Sequence, residues 1–353
     1  MIYSLFMIST IIFAGITYKS RSKNGLVNST SGTRNFCILM GLLLFMIAAM
    51  RSKAVGLDVG QYTRLFIQCS DMSLRNVLEN FDEPALYLLM KLLSYITDNP
   101  QWLLAIVGAV YAASISDFIF QNSDDPAASF IMLIPFQFYA FSLSGLRQAV
   151  ALSIILFGFR YVKKRNPLKF LLCVTTAFFF HRSALLAIPI YALYGIQMTP
   201  IKRWIFILSI PIIYLFRITI INLGINLLYK EYSVYSSTAG SSTTLILYFA
   251  IWLLYLILIG SKQKGEKYEI EAIYLVGVVV QILVPYQPNL FRIAMYYQLF
   301  GILLLPKILQ SPRLSSRTRT LANIGFVMMM FVMYFGFTYY AAGVNPYSFF
   351  WDK

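Results

Sequence analysis

The sequence predicts an all-α integral membrane protein that crosses the bilayer many times. Of its 353 residues, 59% are hydrophobic and only 12% are charged, and the mean hydropathy is +0.68. Apolar runs recur almost from end to end, many of them close to the roughly 20 residues that a helix needs to cross a hydrocarbon layer. No long stretch shows the alternation of apolar and polar residues that is typical of a membrane β-barrel. We therefore expect a single membrane domain over residues 1–353 with about 12 transmembrane helices.

The expected spans follow the apolar runs in chain order. The first is retained rather than cleaved, because its positive charges come after the apolar run, whereas a secretory signal carries them in front. The predicted spans cover residues 2–17, 36–50, 101–120, 128–144, 146–162, 168–182, 183–197, 203–221, 243–260, 270–286, 290–309 and 321–341.

Short basic segments predict the orientation of these spans. Lysine and arginine concentrate in cytoplasmic loops, so an arrangement that collects the basic segments on one side, with both termini outside, is favoured. Two external segments of more than connector length remain, at about 51–100 and 223–243. The basic segments are 19–34, 160–169, 202–203, 262–267 and 307–319.

Two short apolar runs decide how often the chain crosses the membrane, and therefore which segments share a side. Pro84 to Thr97 reaches only about 21 Å as a helix and has Lys91 in its middle, so it is expected to be re-entrant or interfacial. The run 183–197 is expected to cross, tilted and kinked at Pro189, because otherwise the later basic segments would lie outside.

Four arginines fall at predicted external ends of apolar runs: Arg51, Arg147, Arg182 and Arg292. A guanidinium group offers a planar fork of donors that matches phosphate oxygens, so such a cluster predicts a site for a phosphorylated or pyrophosphorylated lipid. Arg147 is favoured most, because Gln148 and the start of a helix adjoin it. The alternative is that each arginine reaches the lipid headgroups separately.

Candidate acids and bases are few on the predicted external side. His181 is the single histidine and titrates near neutrality, although a lone histidine is more often structural. Among the carboxylates, Glu83 precedes Pro84 and is expected to cap the short helix, and Asp58 is a further candidate.

Other chemistries are disfavoured. One histidine and three scattered cysteines predict no metal site and no cofactor. The net charge of +15 is explained by loops that orient helices, so nucleic acid is not an expected partner.

Several strings in the first half of the chain resemble the EpsG family of Wzy-like bacterial polysaccharide polymerases. They occur in the family's order over about residues 50–195. The strings are GLDVGQY (56–62) after Arg51, Glu83-Pro84 before a short apolar helix, LRQAVA (146–151) and FHRSAL (180–185).

The resemblance implies a GT-C-like, metal-independent glycosyltransferase of the bacterial cytoplasmic membrane, active on its extracytoplasmic face. Its substrate would be a polyprenyl-pyrophosphate-linked oligosaccharide, such as an undecaprenyl pyrophosphate carrier of O-antigen, capsule or exopolysaccharide. Membrane lipids and a chain-length regulator are the expected partners. Arg51, Arg147 and Arg292 would neutralise the leaving group, and Arg182 and His181 would position substrate.

The remaining roles stay open at this point. Glu83, Asp58 or His181 would accept the hydroxyl proton, while Gln148 and Tyr62 join the arginines as substrate-binding candidates. The main alternative function is a lipid-linked oligosaccharide flippase, which also needs basic residues facing a cavity. A membrane acyltransferase that depends on His181 is a further alternative.

Overall fold

The computed structural model describes residues 1–17, 19–22, 25–28, 30–228, 243–259 and 270–352. The expected all-α fold is confirmed, with one small antiparallel hairpin, β1 (Lys19–Ser22) and β2 (Gly25–Asn28), in the first basic segment. The helices are α1 (Ile2–Thr17), α2 (Thr30–Met50), α3 (Val59–Asp71), α4 (Leu74–Asn80), α5 (Pro84–Ser94), α6 (Gln101–Asn122), α7 (Pro126–Met132), α8 (Phe138–Ser144), α9 (Leu146–Lys163), α10 (Pro167–Phe180), α11 (Pro189–Leu193), α12 (Pro200–Leu215), α13 (Arg217–Leu228), α14 (Thr243–Leu258), α15 (Glu271–Leu283), α16 (Phe291–Gln298), α17 (Gly301–Leu309) and α18 (Ser316–Met333).

One end of the helical bundle gathers both ends of the chain, and we call it the Arg51 end. The Arg51 guanidinium donates to the Leu143 carbonyl at 3.1 Å, and the Gln101 side chain donates to the Arg51 carbonyl at 2.9 Å. The Tyr3 hydroxyl donates to the Val344 carbonyl at 3.4 Å. The start of α1, the end of α2, the start of α6 and the end of α8 therefore lie together.

The opposite end, which we call the Asp125 end, holds the described basic segments. Gln310 donates to the Asp125 carboxylate at 3.1 Å, and the Lys163 ammonium donates to the Asn122 side chain at 2.8 Å. A small cavity at this end is lined by Lys163, Ile270 and Lys307 together. The basic segments 160–169, 202–203 and 307–319 thus gather at one end, as the charge pattern predicts. Segment 262–267 lies outside the described residues.

The count of membrane spans is smaller than expected when only regular helices are considered. Among the described residues, α2, α6 and Ser316–Thr338 are long and apolar enough to cross a membrane. Two bent pairs raise this number to five: Pro200–Leu215 with Arg217–Gly224, bent by 80°, and Pro288–Gln298 with Gly301–Leu309, bent by 49°. The expected count of about 12 is not confirmed, because many apolar runs form short or interrupted helices.

Two predicted spans are built from pieces. The run 128–144 is divided into α7 and α8 at 133–137, where Gln137 has a φ of +63°. The run 183–197 contains a 3₁₀ helix, Arg182–Ala187, followed by α11. It passes from the Arg51 end to the Asp125 end, where Arg165 donates to the Tyr194 carbonyl at 2.6 Å. A 3₁₀ helix rises about 2.0 Å per residue against about 1.5 Å for an α-helix, which helps this short run to cross.

Pro189 does not kink a continuous helix, as had been expected, but begins a new one. It occupies the first turn of α11, where the missing N–H of proline removes no hydrogen bond.

The predicted external segment 51–100 forms α3, α4 and α5 beside the Arg51 end. Helix α5 reaches only about 16 Å and packs on α3 and α4, so it does not cross the bundle. Its Lys91 is buried and donates to the Ser70 carbonyl at 2.9 Å. Most of the other predicted external segment, 229–242, lies outside the described residues.

Candidate functional site

A buried carboxylate, Glu83, joins three separate elements at the Arg51 end. Its Oε1 accepts hydrogen bonds from His181 Nδ1 and from the Arg182 backbone N–H, both at 2.8 Å. Its Oε2 accepts from the Arg147 guanidinium at 2.7 Å. The side chain is only 8% exposed. We call Glu83, Arg147, His181 and Arg182 the Glu83 cluster.

The local backbone explains how Glu83 reaches these partners. The residue stands at the N-cap of α5 with Pro84 in the first turn, but its side chain makes no capping hydrogen bond, so the expected capping role is wrong. His181 ends α10 in an extended conformation, with φ −158° and ψ 122°. This break leaves the Arg182 N–H outside the helical ladder, where it donates to the Glu83 carboxylate instead.

His181 is oriented by this carboxylate. Because an ionised carboxylate only accepts hydrogen bonds, Nδ1 carries a proton in this arrangement, and in the neutral ring Nε2 is the acceptor nitrogen. Within the part of the chain that the structure describes, Nε2 makes no hydrogen bond. A histidine with one nitrogen held by a carboxylate and the other unprotonated has the geometry of a general base.

The surroundings of Glu83 keep it ionised. Burial by itself raises the pKa of the carboxyl group, but the hydrogen bonds from His181 and Arg182 and the electrostatic attraction of His181 and Arg147 act in the opposite direction. Their net result is a pKa below the ordinary 4.5. A carboxylate of low pKa is a weak base, so this geometry favours a positioning role for Glu83 and leaves proton acceptance to His181.

Arg147 lies in the first turn of α9, directly after the Gly145–Leu146 turn. Its side chain remains 32% exposed although it bonds Glu83, so it is partly accessible from outside the cluster. Tyr62 and Tyr87 lie close enough to Arg147 to interact with it electrostatically. The unpaired N–H groups of the first helical turn also favour an anion here.

Gln148 connects Arg147 to the second half of the chain. Its amide nitrogen donates to the Arg292 carbonyl at 2.6 Å, whereas its buried Oε1 has no hydrogen-bond partner. The Arg292 guanidinium makes no ion pair with any described residue. Arg182 pairs with exposed Asp82 at 3.0 Å. Three of the four predicted arginines therefore belong to adjoining elements at this end.

Arg51 does not join them. It is 1% exposed and donates to the Ala48 and Leu143 carbonyls at 3.0 and 3.1 Å. These contacts favour a role for Arg51 in holding the fold, and its substrate-binding role stays a prediction.

Asp58 also stands apart from the Glu83 cluster. It is the N-cap residue of α3, and its carboxylate makes no capping hydrogen bond. Its catalytic role stays a prediction.

Sequence reasoning missed two neighbours of the cluster. Asp82 pairs with Arg182, and Tyr87 lies beside Arg147. Their positions gave a usable signal, because Asp82 precedes Glu83 and Tyr87 lies one helical turn after it. Among the described residues, no group of three histidine, cysteine, aspartate or glutamate side chains is placed to hold a metal ion.

Comparisons with known proteins give one result that covers nearly the whole chain. The model of the EpsG family matches residues 34–349. A comparison with curated proteins and a comparison with solved structures each gave no match, so the expected GT-C-like fold has no support from a structural relative. The matched region includes all members of the Glu83 cluster. The chain belongs to the EpsG family, a family of Wzy-like polysaccharide polymerases of the membrane.

Proposed function

We propose that this protein joins polyprenyl-pyrophosphate-linked oligosaccharide repeat units into a surface polysaccharide. The observation that carries the proposal is the Glu83 cluster, in which one carboxylate orients a histidine and holds an arginine that is partly exposed. The family implies a polysaccharide polymerase in general, and the chemistry of these side chains suits a lipid-linked diphosphate as the leaving group.

Each member of the Glu83 cluster has a role in the proposed reaction. A hydroxyl group of the acceptor sugar gives its proton to His181 Nε2, and its oxygen attacks the anomeric carbon of the donor glycan. The bond between that carbon and the diphosphate oxygen breaks, and polyprenyl diphosphate leaves with the electron pair. Arg147 balances the developing charge, with Arg182 and Arg292 as further cations beside it.

Glu83 acts on the other members of the cluster. By accepting from Nδ1, it fixes the tautomer of His181 and stabilises the imidazolium that forms when Nε2 takes the proton. By accepting from Arg147, it fixes the guanidinium in the first turn of α9. Tyr62 and Gln148 supply neutral hydrogen-bonding groups to the glycan or the diphosphate.

The Arg51 end is proposed to face away from the cytoplasm. The support is the collection of the described basic segments at the Asp125 end, which the positive-inside rule assigns to the cytoplasm. The bacterial cytoplasmic membrane is the corresponding location.

The function is tested with purified protein in liposomes and lipid-linked single repeat units from cells that lack the protein. We expect a ladder of products that differ by one repeat unit. Translocation of the lipid-linked unit without any ladder would support the flippase instead. If folded protein gives no ladder and no translocation, that result contradicts both functions.

The orientation is tested separately by labelling from outside the cell. Ser70→Cys at the Arg51 end should react with a membrane-impermeant thiol reagent, whereas Ser123→Cys at the Asp125 end should react only after permeabilisation. The opposite pattern would contradict an external site.

A further inference from the structure

A second cavity lies in the same half of the bundle as the Glu83 cluster. Its volume is about 590 Å³, within the roughly 300–1,000 Å³ of ligand pockets. Most of its walls are apolar or aromatic, with four polar side chains. The residues that define it are Pro135, Phe136, Gln137, Thr244, Leu247, Tyr248, Gln281, Val284, Phe291, Met333, Phe337 and Thr338.

The direction of each helix places this cavity near the Arg51 end. Helix α14 contributes residues from its beginning, and its other end meets Ser311, which donates to the Leu258 carbonyl at the Asp125 end. Helix α15 starts at Glu271 and contributes only its last turn, at Gln281 and beyond. The cavity also touches the end of α18, where Phe337 and Thr338 belong to a π-helical turn. Such turns are frequent at functional sites.

One wall residue of the cavity leads to the helix that carries Arg147. Phe291 forms part of its wall, and the next residue, Arg292, is held through its carbonyl by Gln148. A molecule that fills the cavity and ends beside Arg292 would therefore carry its polar end toward Arg147. Among the described residues the Arg292 guanidinium has no ion pair, and a guanidinium is a good partner for such an anionic end.

One wall of the cavity belongs to an exposed, apolar candidate span. Ser316–Thr338 is a candidate span with only 17% of its apolar window buried, and Phe337 in the cavity wall is 70% exposed. Non-helical backbone at membrane depth is tolerated where it lines a cavity or is buried in protein, and the break 133–137 contributes three wall residues here. The cavity is thus accessible to a chain that enters sideways from the bilayer.

We infer that this cavity holds part of the isoprenoid tail of the lipid-linked substrate, between α14 and α18, with its diphosphate beside Arg292 and Arg147. The identity of the lipid rests on the proposed function. The tail leaves one apolar environment for another, so the cavity contributes little binding energy and acts by orienting the diphosphate.

The test uses a geranylgeranyl diphosphate that carries a diazirine at the far end of its tail. After irradiation of the full-length protein in liposomes, we expect labelled peptides from 244–248 or 333–338. An excess of unlabelled polyprenyl diphosphate should prevent the labelling, whereas phosphatidylglycerol should not. Labels confined to other helices, or equal competition by phosphatidylglycerol, would overturn the inference.

A pair of variants on one helix supplies the second readout. Leu247→Trp fills the cavity, whereas Leu253→Trp adds the same ring to a membrane-facing position of α14 that is 46% exposed. Displacing a substrate by about 1 Å costs on the order of 100-fold in rate, so we expect labelling and polymer formation to fall at least about tenfold in Leu247→Trp only. Equal activity in the two variants would contradict the inference.

These outcomes separate the two proposals. Polymer formation by the wild-type protein with no label in the cavity would reject the tail site alone. Label in the cavity with no polymer formation would reject the proposed polymerase and leave a lipid-binding cavity.

Discussion

Arg51 and Arg147 lie at the same end of the molecule, and the sequence predicts the same role for both. Arg51 is almost fully buried and donates to two main-chain carbonyls, whereas Arg147 bonds a carboxylate and keeps about a third of its surface exposed. Both arginines lie at helix termini, since Arg51 comes directly after the last residue of α2 and Arg147 is the second residue of α9. The difference lies in what covers them.

The C-terminal segment covers Arg51. The Arg51 backbone pairs with Phe349, the Phe350 N–H donates to the Met50 carbonyl at 2.9 Å, and Tyr347 donates to the Ile47 carbonyl at 2.8 Å. Among the described residues, no comparable segment pairs with the backbone at Arg147. A guanidinium at the end of a helix can therefore fasten the fold or face a ligand, and only contacts from distant parts of the chain decide between these roles.

The largest effect should come from Glu83→Gln. Glutamine keeps the shape of the side chain but has no negative charge with which to accept from both His181 and Arg147. We therefore expect polymer formation to fall by about 1,000-fold or more. The protein should remain folded, as judged by size-exclusion chromatography in detergent.

The matched control for that variant is Glu79→Gln. Glu79 belongs to the same external segment and forms an exposed pair with Arg75 at 2.7 Å. Exposed pairs of this kind contribute little, so its polymer yield should equal that of the wild type. Equal yields from Glu83→Gln and Glu79→Gln would remove Glu83 from the site.

The second largest effect should be on stability, in Arg51→Met. Loss of the charged hydrogen bonds to Ala48 and Leu143 should lower the free energy of unfolding by about 3 kcal/mol. The thermal midpoint in detergent should fall, while polymer yield per folded molecule stays unchanged. Lost activity at an unchanged midpoint would reassign Arg51 to the site.

Arg147→Lys should give the reverse pattern with a smaller magnitude. Lysine keeps the charge but loses the planar fork, so we expect polymer formation to fall by about tenfold with an unchanged thermal midpoint. If Arg147→Lys forms polymer at the wild-type rate at both saturating and limiting substrate, the planar fork of Arg147 is not used in the reaction.

Tyr62→Phe should have a modest effect. It removes the hydroxyl beside Arg147 and keeps the buried ring, so we expect a decrease of about threefold to tenfold in polymer formation. The initial rate of ladder formation measures it, and a loss as large as that of Glu83→Gln would make Tyr62 a principal member of the site.

The smallest effect should be that of pH, between 8 and 5, on the difference in thermal midpoint between the wild type and Glu83→Gln. Because the pKa of Glu83 is lower in the folded protein than its ordinary 4.5, its stabilising contribution is present above that value and is lost as the pH falls through the folded pKa. The thermal midpoint difference between the wild type and Glu83→Gln should therefore stay constant above about pH 5 and shrink below it. A difference that shrinks between pH 7 and pH 6 would contradict a lowered pKa.

The sequence predicted much of the fold and part of the site. Apolar runs and basic segments predicted an all-α membrane protein, the gathering of the described charges at one end, and a short helix at Pro84 that does not cross. The break at 133–137 was not predicted, because hydropathy reports composition and not the continuity of a helix. A distant element contacts this break, since the Tyr111 hydroxyl donates to the Phe138 carbonyl at 3.1 Å.

The candidate site was also predicted only in part from the sequence. Glu83, Arg147, Gln148, His181, Arg182 and Arg292 were chosen from local signals, and the structure brings them to adjoining elements. Their pairing could not be predicted, because Glu83 and His181 are 98 residues apart and their contact depends on how α5 packs against α10. The burial of Arg51 depends on the last residues of the chain in the same way.

The most direct test of the account is a cryo-EM structure of the wild-type protein with bound polyprenyl diphosphate. We predict that the diphosphate lies against the exposed side of Arg147, within hydrogen-bonding distance of its guanidinium, while Glu83 still holds His181 Nδ1. A diphosphate bound at the Asp125 end, or bound at the Arg51 end without contact to Arg147, would contradict it.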